Sequence, residues 1–168
     1  MGCFNENIKS KVVDIQTLQK TLEIARLQNK KIVFTNGCFD LIHLGHVDYL
    51  SKARDLGDIL VVGVNSDNSV KRLKGNTRPL QDEVSRSQIL ASFVFVDFVV
   101  LFDEDTPLNL IQTVQPDILV KGADYKIEDI VGYDIVKNKG GEVKTISFLQ
   151  GFSTTNIVNK ILDTTSTK

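Results

Sequence analysis

Tryptophan is absent, methionine occurs once, and proline and cysteine are scarce, at three and two residues of 168. The two cysteines, Cys3 and Cys38, supply neither a disulfide framework nor a C-x-x-C metal pairing, and they suit a reducing, intracellular setting. An excess of either charge is missing too: 20 Lys and Arg against 21 Asp and Glu leave a net charge of −1. That balance excludes the basic footprint of a nucleic-acid binder and a polybasic membrane tail. Long apolar runs are also lacking. Residues 1–11 hold nothing like the apolar stretch of about 7–15 residues in a secretory leader. The run at 59–64 falls far short of the ~20 residues that cross a bilayer. These absences predict a cytoplasmic protein with neither membrane nor nucleic acid as a partner.

What is present describes one folded unit. Apolar residues make up 42% and charged residues 24% of the chain, the proportions of a globular domain large enough to bury a core without staples. Ile15, Leu18, Leu22 and Ala25 recur at helical spacing behind Asp14, which is placed to cap them. Strand-like runs at 31–36, 58–65, 96–102, 117–121 and 142–146 follow, separated by helical patterns at 47–56, 66–74, 81–93, 107–114 and 130–138; a last helix is expected at 154–162. Gly57 and Gly140-Gly141 stop two of the helices, and Asp105 or Thr106 is expected to cap the one that Pro107 opens. The run at 58–65 is apolar almost throughout, as a parallel strand covered on both faces reads. The alternation predicts an α/β fold: a single doubly wound, Rossmann-like domain over 31–162, with a five-stranded parallel sheet and helices on both faces. An N-terminal extension and helix (1–30) precede it, and a frayed tail (163–168) follows. In such sheets ligands bind beyond the carboxyl ends of the strands, where the strand order reverses.

At the end of the first strand the chain reads Thr35-Asn-Gly-Cys-Phe-Asp-Leu-Ile-His43-Leu-Gly-His46, and both histidines of the protein lie here. Positions three apart share a helix face, so both imidazoles can address one anion in front of the helix start. Gly37 and Gly45 allow backbone to approach a ligand, and the unpaired amides of the first helical turn point the same way. A metal is the weaker reading of the pair, because no third Cys, His or carboxylate has ligand spacing. Cys38 reads as a small buried hydrophobe, since a thiolate would repel phosphate.

Gly37-Cys-Phe-Asp40 followed by His43-Leu-Gly-His46 resembles the signature of the cytidylyltransferase-like nucleotidyltransferases. Further stretches resemble the adenylyltransferase domain of the bifunctional heptose kinase/adenylyltransferases of lipopolysaccharide core biosynthesis. They are Val64-Asn-Ser-Asp67, Lys71-Arg-Leu-Lys-Gly75, Glu104-Asp-Thr-Pro107, Leu119-Val-Lys-Gly-Ala-Asp-Tyr125 and Ser153-Thr-Thr-Asn156. The resemblance implies transfer of AMP from ATP to D-glycero-β-D-manno-heptose 1-phosphate, giving ADP-heptose and pyrophosphate with Mg²⁺ accompanying ATP. It implies a stand-alone transferase served by a separate sugar kinase and phosphatase. A cytidylyltransferase acting on glycerol 3-phosphate, and a nucleotide-binding module without turnover, are the alternatives.

Roles carry over residue by residue. The resemblance places His43 and His46 on the triphosphate, with His46 at the α-phosphate, and Lys74 as the loop lysine beside them. Asn36, Gly37, Phe39 (through its amide) and Gly45 fall to the nucleotide, as do Arg86, Gly122 and Asp124. Ser153, Thr154 and Thr155 open the last helix: Ser153 is an N-cap, and the resemblance adds contacts to the β- and γ-phosphates. Four residues are candidates for the sugar phosphate. Asp40 either caps the histidine-bearing turn or meets metal or substrate. Asp67 either caps a helix or meets substrate. Lys71 and Arg72 read as a solvated charge run or as phosphate ligands. Arg86 has a surface salt bridge as its alternative, and Asp97 is read as structural. No metal ligand is assigned. Phe93 and Phe95 depart from the family pattern and mark either altered packing or a homodimer contact.

Overall fold

A computed structural model of the chain describes residues 3–123 and 126–165. Its strands are β1 (Ile32–Gly37), β2 (Ile59–Asn65), β3 (Phe98–Phe102), β4 (Ile118–Gly122) and β5 (Glu142–Ile146). They form one sheet in the order β3-β2-β1-β4-β5, parallel throughout. The order reverses at β1, so the crevice between the carboxyl ends of β1 and β4 is the place for a ligand. The helices are α1 (Phe4–Ser10), α2 (Ile15–Leu27), α3 (Leu44–Arg54), α4 (Asp67–Lys74), α5 (Glu83–Ala91), α6 (Leu108–Val114), α7 (Tyr133–Asn138) and α8 (Thr154–Thr165).

Alternation along each strand splits the core in two. Ile32, Phe34, Val61, Val100 and Leu119 face one side, where Leu18 and Leu22 of α2 and Leu110, Ile111 and Val114 of α6 cover them. Val33, Leu60, Val62, Val99 and Val120 face the other, under Leu50 and Ala53 of α3 and Leu90 and Ala91 of α5. Each fully buried Val, Leu or Ile side chain among these contributes about 1.5–3 kcal/mol relative to exposure. Two covered faces explain why the strands read as apolar throughout.

The seam at the switch point opens toward the carboxyl ends. Pairing of β1 with β2 runs from Ile32–Ile59 to Gly37–Val64, whereas β1 and β4 register only at Val33–Ile118 and Phe34–Leu119. Beyond Leu119, β4 continues beside β5 as far as Gly122–Ile146. The departure of β1 from β4 makes the crevice.

Several local readings shift. Helix α1 was not expected, and the segment after it runs beside the outer strand: Val12 bridges Val99, Val13 N–H donates to Val99 C=O, and Val99 N–H donates to Lys11 C=O. Ser66, not Asp67, caps α4 by accepting from the Ser69 amide at 3.0 Å. Neither Asp105 nor Thr106 caps α6, whose N-cap is Pro107 with no side-chain bond. The helix expected at 81–93 is confined to α5, capped by Asp82, and α8 extends through residues 163–165, which were expected to fray. Asp97 Oδ2 accepts from the Leu60 amide and lies 3.1 Å from Arg54 Nε, tying the end of α3 to β2. Phe93 and Phe95 stack on each other at 5.2 Å and pack against the core on the α5 side.

Candidate functional site

The site grows from the turn between β1 and α3. Phe39 holds a left-handed backbone, φ 48°, that bulky residues rarely adopt. Its ring is buried in the core, 3.2 Å from where a Cβ on Gly37 would sit. The ring also meets His46 edge-on at 5.3 Å. His43 is the N-cap of α3 in extended conformation with no side-chain cap, so the first amides of the helix are left for another acceptor.

The two imidazoles stack, with centroids 3.9 Å apart and planes 23° from parallel. A Cβ on Gly45 would come within 3.0 Å of His43 Nδ1, so only glycine lets that ring fold back over the helix start. Burial, then the neighbouring His43 and Lys74, pushes the His46 pKa down to about 4. Burial also lowers that of His43. Both rings are neutral at physiological pH. Nδ1 of each is buried without a hydrogen-bond partner, and such orphaned polar atoms call for a ligand or water.

His46 lines a cleft of about 310 Å³ over the β1–β4 crevice, whereas His43, stacked on it, is not part of that lining. His46, Lys74, Gly37, Phe39, Gly122 and Thr154 are on its lining, together with Asn36 and Asp40. The start of α8 arrives from the opposite side. Ser153 Oγ accepts from the Asn156 amide at 3.0 Å, fulfilling its expected cap, and Thr154 Oγ1 lies 3.5 Å from Leu41 C=O. Two helix starts thus converge on one cavity, a charge environment that favours an anion. Thr155 is exposed beside this lining rather than within it.

Other expected residues are placed differently. Arg86 is fully buried, neither on the nucleotide face nor in a surface pair. Its guanidinium donates to Gln81 C=O, to Cys38 C=O, to Asn65 C=O and to Asp67 Oδ1, the last two at 2.8 Å. It is a strut under the floor of the cleft. Asp67 is that strut's counter-charge, and its own amide donates to Glu83. Asp40, 3% exposed, is tied to Arg78 at 2.7 Å and accepts from the Leu80 and Gln81 amides. Burial raises its pKa, but those partners outweigh burial and hold the carboxyl below the usual range. Its oxygens are spent on fixing the 78–81 loop. Arg72 is bound to Asp105 at 2.7 Å and to Asp103, and Lys71 is exposed outside the cleft. Asp124 lies outside the described residues.

Three lining residues were not anticipated. Lys121, the one charged residue of β4, donates to Asn36 Oδ1 at 2.5 Å, and burial pushes its pKa down to about 8. A lysine at the carboxyl end of an apolar strand was the available signal. Buried Tyr49 shares a 2.7 Å hydrogen bond with Thr35 and meets the ring of Phe148 at 5.9 Å. Phe148 covers Gly122 so closely that a Cβ there would lie 2.0 Å from its ring. Nothing local marks Phe148, which reaches the site from a loop. Cys38 borders the cleft with its thiol pushed up by burial, a protonated group rather than a nucleophile. Among the described residues no group of three or more His, Cys, Asp or Glu could hold a metal ion.

Residues 34–160 match the family model described as Cytidylyltransferase-like. The chain is 53% identical over 162 residues to the bifunctional protein HldE of Geobacter metallireducens, covering 96% of this chain and 33% of that protein. It is 56% identical over 160 residues to HldE of Campylobacter jejuni, covering 95% and 32%. The chain therefore spans about a third of the length of these relatives. Among solved structures, the lipopolysaccharide core biosynthesis protein from Thermoplasma volcanium is similar at 33% identity and TM-score 0.58, over 71% of this chain and 97% of that one. Pantoate-β-alanine ligase from Francisella tularensis shares the fold at 18% identity and TM-score 0.59, over 90% and 77%.

Proposed function

The chain belongs to the cytidylyltransferase-like family, and from that premise we propose that it transfers AMP from ATP to D-glycero-β-D-manno-heptose 1-phosphate. The likeness to HldE over nearly the whole chain supports the heptose acceptor and the adenylyl donor. One observation carries the chemistry: His46, neutral and stacked on His43, each ring with an orphaned buried nitrogen, lines a cleft where two helix starts meet.

In this reading a phosphate oxygen of the sugar attacks the α-phosphorus of ATP. The new P–O bond forms as the α–β bridging bond breaks, and pyrophosphate leaves with the electron pair. The attacking phosphate is already anionic, so no general base is needed, and the protonated Cys38 supplies no covalent intermediate. Catalysis rests on alignment and charge stabilisation. His46 donates a hydrogen bond to the α-phosphate and His43 to the neighbouring phosphate. Lys74 neutralises charge that builds on the leaving pyrophosphate, while the first amides of α3 and α8 and the Thr154 hydroxyl receive the rest of the triphosphate. Gly122 borders the nucleoside. Mg²⁺ accompanying ATP as its chelate would supply screening of the triphosphate charge, and Asp40 is committed to Arg78. A sugar kinase and a phosphatase supply the acceptor, and the cytoplasm supplies ATP. No helix among the described residues is long and apolar enough to cross a membrane.

Pyrophosphate release over a grid of ATP and CTP against heptose 1-phosphate and glycerol 3-phosphate tests the reading. Turnover is expected with ATP and the heptose. Turnover only with CTP and glycerol 3-phosphate overturns the substrate assignment, and none with any pair overturns the enzyme.

A further inference from the structure

Beyond the last registered pair, Phe34 with Leu119, side chains rather than backbone link β1 to β4. Lys121 reaches across the gap to Asn36, and together they form the wall between two clefts. One is the histidine cleft. The other, of about 230 Å³, lies toward α6 and the 127–131 segment and shares only Asn36 and Lys121 with the first. Its lining combines apolar Pro107, Ile130 and Val131 with the carboxylates of Asp105 and Asp129.

Lys121 has no carboxylate in ion-pair range among the described residues. A largely dehydrated ammonium held by one neutral amide oxygen is costly, and burial lowers its pKa to about 8. An arriving phosphate supplies the missing counter-charge. The reaction also constrains direction. With the triphosphate against His46 and Thr154, an in-line attacker must approach the α-phosphorus from the side away from the leaving pyrophosphate, and the second cleft adjoins the first through Asn36 and Lys121. Its lining suits a polyol, whose C–H faces meet Pro107 and Val131 and whose hydroxyls donate to carboxylates at the rim.

We propose that this second cleft holds the acceptor, with Lys121 receiving the phosphate of a phosphorylated sugar and Asn36 holding the ammonium in position. The inference rests on the nucleotidyl-transfer reading and adds the acceptor's place and its ligand. Lys121→Met keeps the stem and removes the charge; Val131→Trp fills the cleft from an exposed position. In both variants KM for heptose 1-phosphate rises at least about tenfold, the scale of one charge-assisted contact. Calorimetric Kd for a non-hydrolysable ATP analogue stays within about twofold. An unchanged acceptor KM, or an equal loss of analogue affinity, overturns the proposal while wild-type turnover leaves the enzyme assignment standing. If Lys121→Met does not fold, Val131→Trp alone decides by the same criteria. A wild type that turns over no sugar 1-phosphate brings down the functional reading and this inference with it.

Discussion

The imidazoles of His43 and His46 lie face to face at the start of α3, 3.9 Å between centroids. Protonating one would set a cation against a dehydrated neighbour, so the free protein keeps both neutral. Neutral rings present N–H donors without attracting counter-ions that a substrate would have to displace. In the proposed reaction the stack serves as a preorganised donor pair for phosphate.

In the proposed reaction, replacing His46 with alanine removes a contact that strengthens as charge builds at the α-phosphorus. A fall in kcat of about a hundredfold or more is expected, the order found for single preorganised donors. Pyrophosphate release on protein with an unchanged melting temperature measures it. A near-normal kcat removes the assignment.

The His46 pKa of about 4 has a consequence for stability. In the unfolded chain the same ring titrates near 6.5. Between those values the unfolded state binds more protons, so stability is full above about pH 6.5 and declines as pH falls toward 4. The charged or titrating neighbours facing the ring are His43 and Lys74. Nuclear magnetic resonance should show His46 untitrated from pH 8 to about 5.5, and His46→Asn should flatten the acid side of the melting-temperature profile.

Gly45→Ala places a methyl group 3.0 Å from His43 Nδ1 and 3.3 Å from Phe152 Cβ. The helix accepts alanine, but the ring must move. Activity should fall by about tenfold to a hundredfold, the range for sub-ångström to ångström misplacement of a reacting group. Far-ultraviolet circular dichroism should stay the same.

Arg86→Met tests the strut. It strands three backbone carbonyls and leaves Asp67 without its counter-charge. Breaking a buried ion pair from one side costs about 3–5 kcal/mol, readable as a lower urea midpoint. Lys71→Ala, an exposed change, should stay within about 0.5 kcal/mol of wild type.

Chelation separates a metal carried by ATP from one built into the fold. EDTA should abolish turnover, and added Mg²⁺ should restore it. The melting temperature of ligand-free protein should not respond to EDTA, because the described residues contain no ligand cluster. A drop in that melting temperature would reveal a resident ion.

The sheet and the histidine turn were legible because their signals are local. Continuous apolar runs marked the strands, and His43-Leu-Gly-His46 announced itself within four positions. Roles fixed by distant partners were not. Asp40 is claimed by Arg78, and Arg86 by Cys38 and Asn65, partners that only the folded chain brings together. Lys121 gains meaning only when β4 comes beside β1 and Asn36. Asp67 was misread by a single position, because Ser66 and Asp67 are both good caps and composition cannot choose between adjacent ones. Helix α1 buries none of its residues, so it carries no periodic apolar signal.

The strip at 11–13 has a consequence for self-association. By bonding along Val99 it occupies hydrogen-bonding positions of the outermost strand that would otherwise welcome a foreign chain. Trimming those few residues would leave the catalytic crevice, on the far side of β2, untouched, yet it would bare a sticky ribbon. One edge of the sheet is thus covered by a segment remote from the histidine cleft.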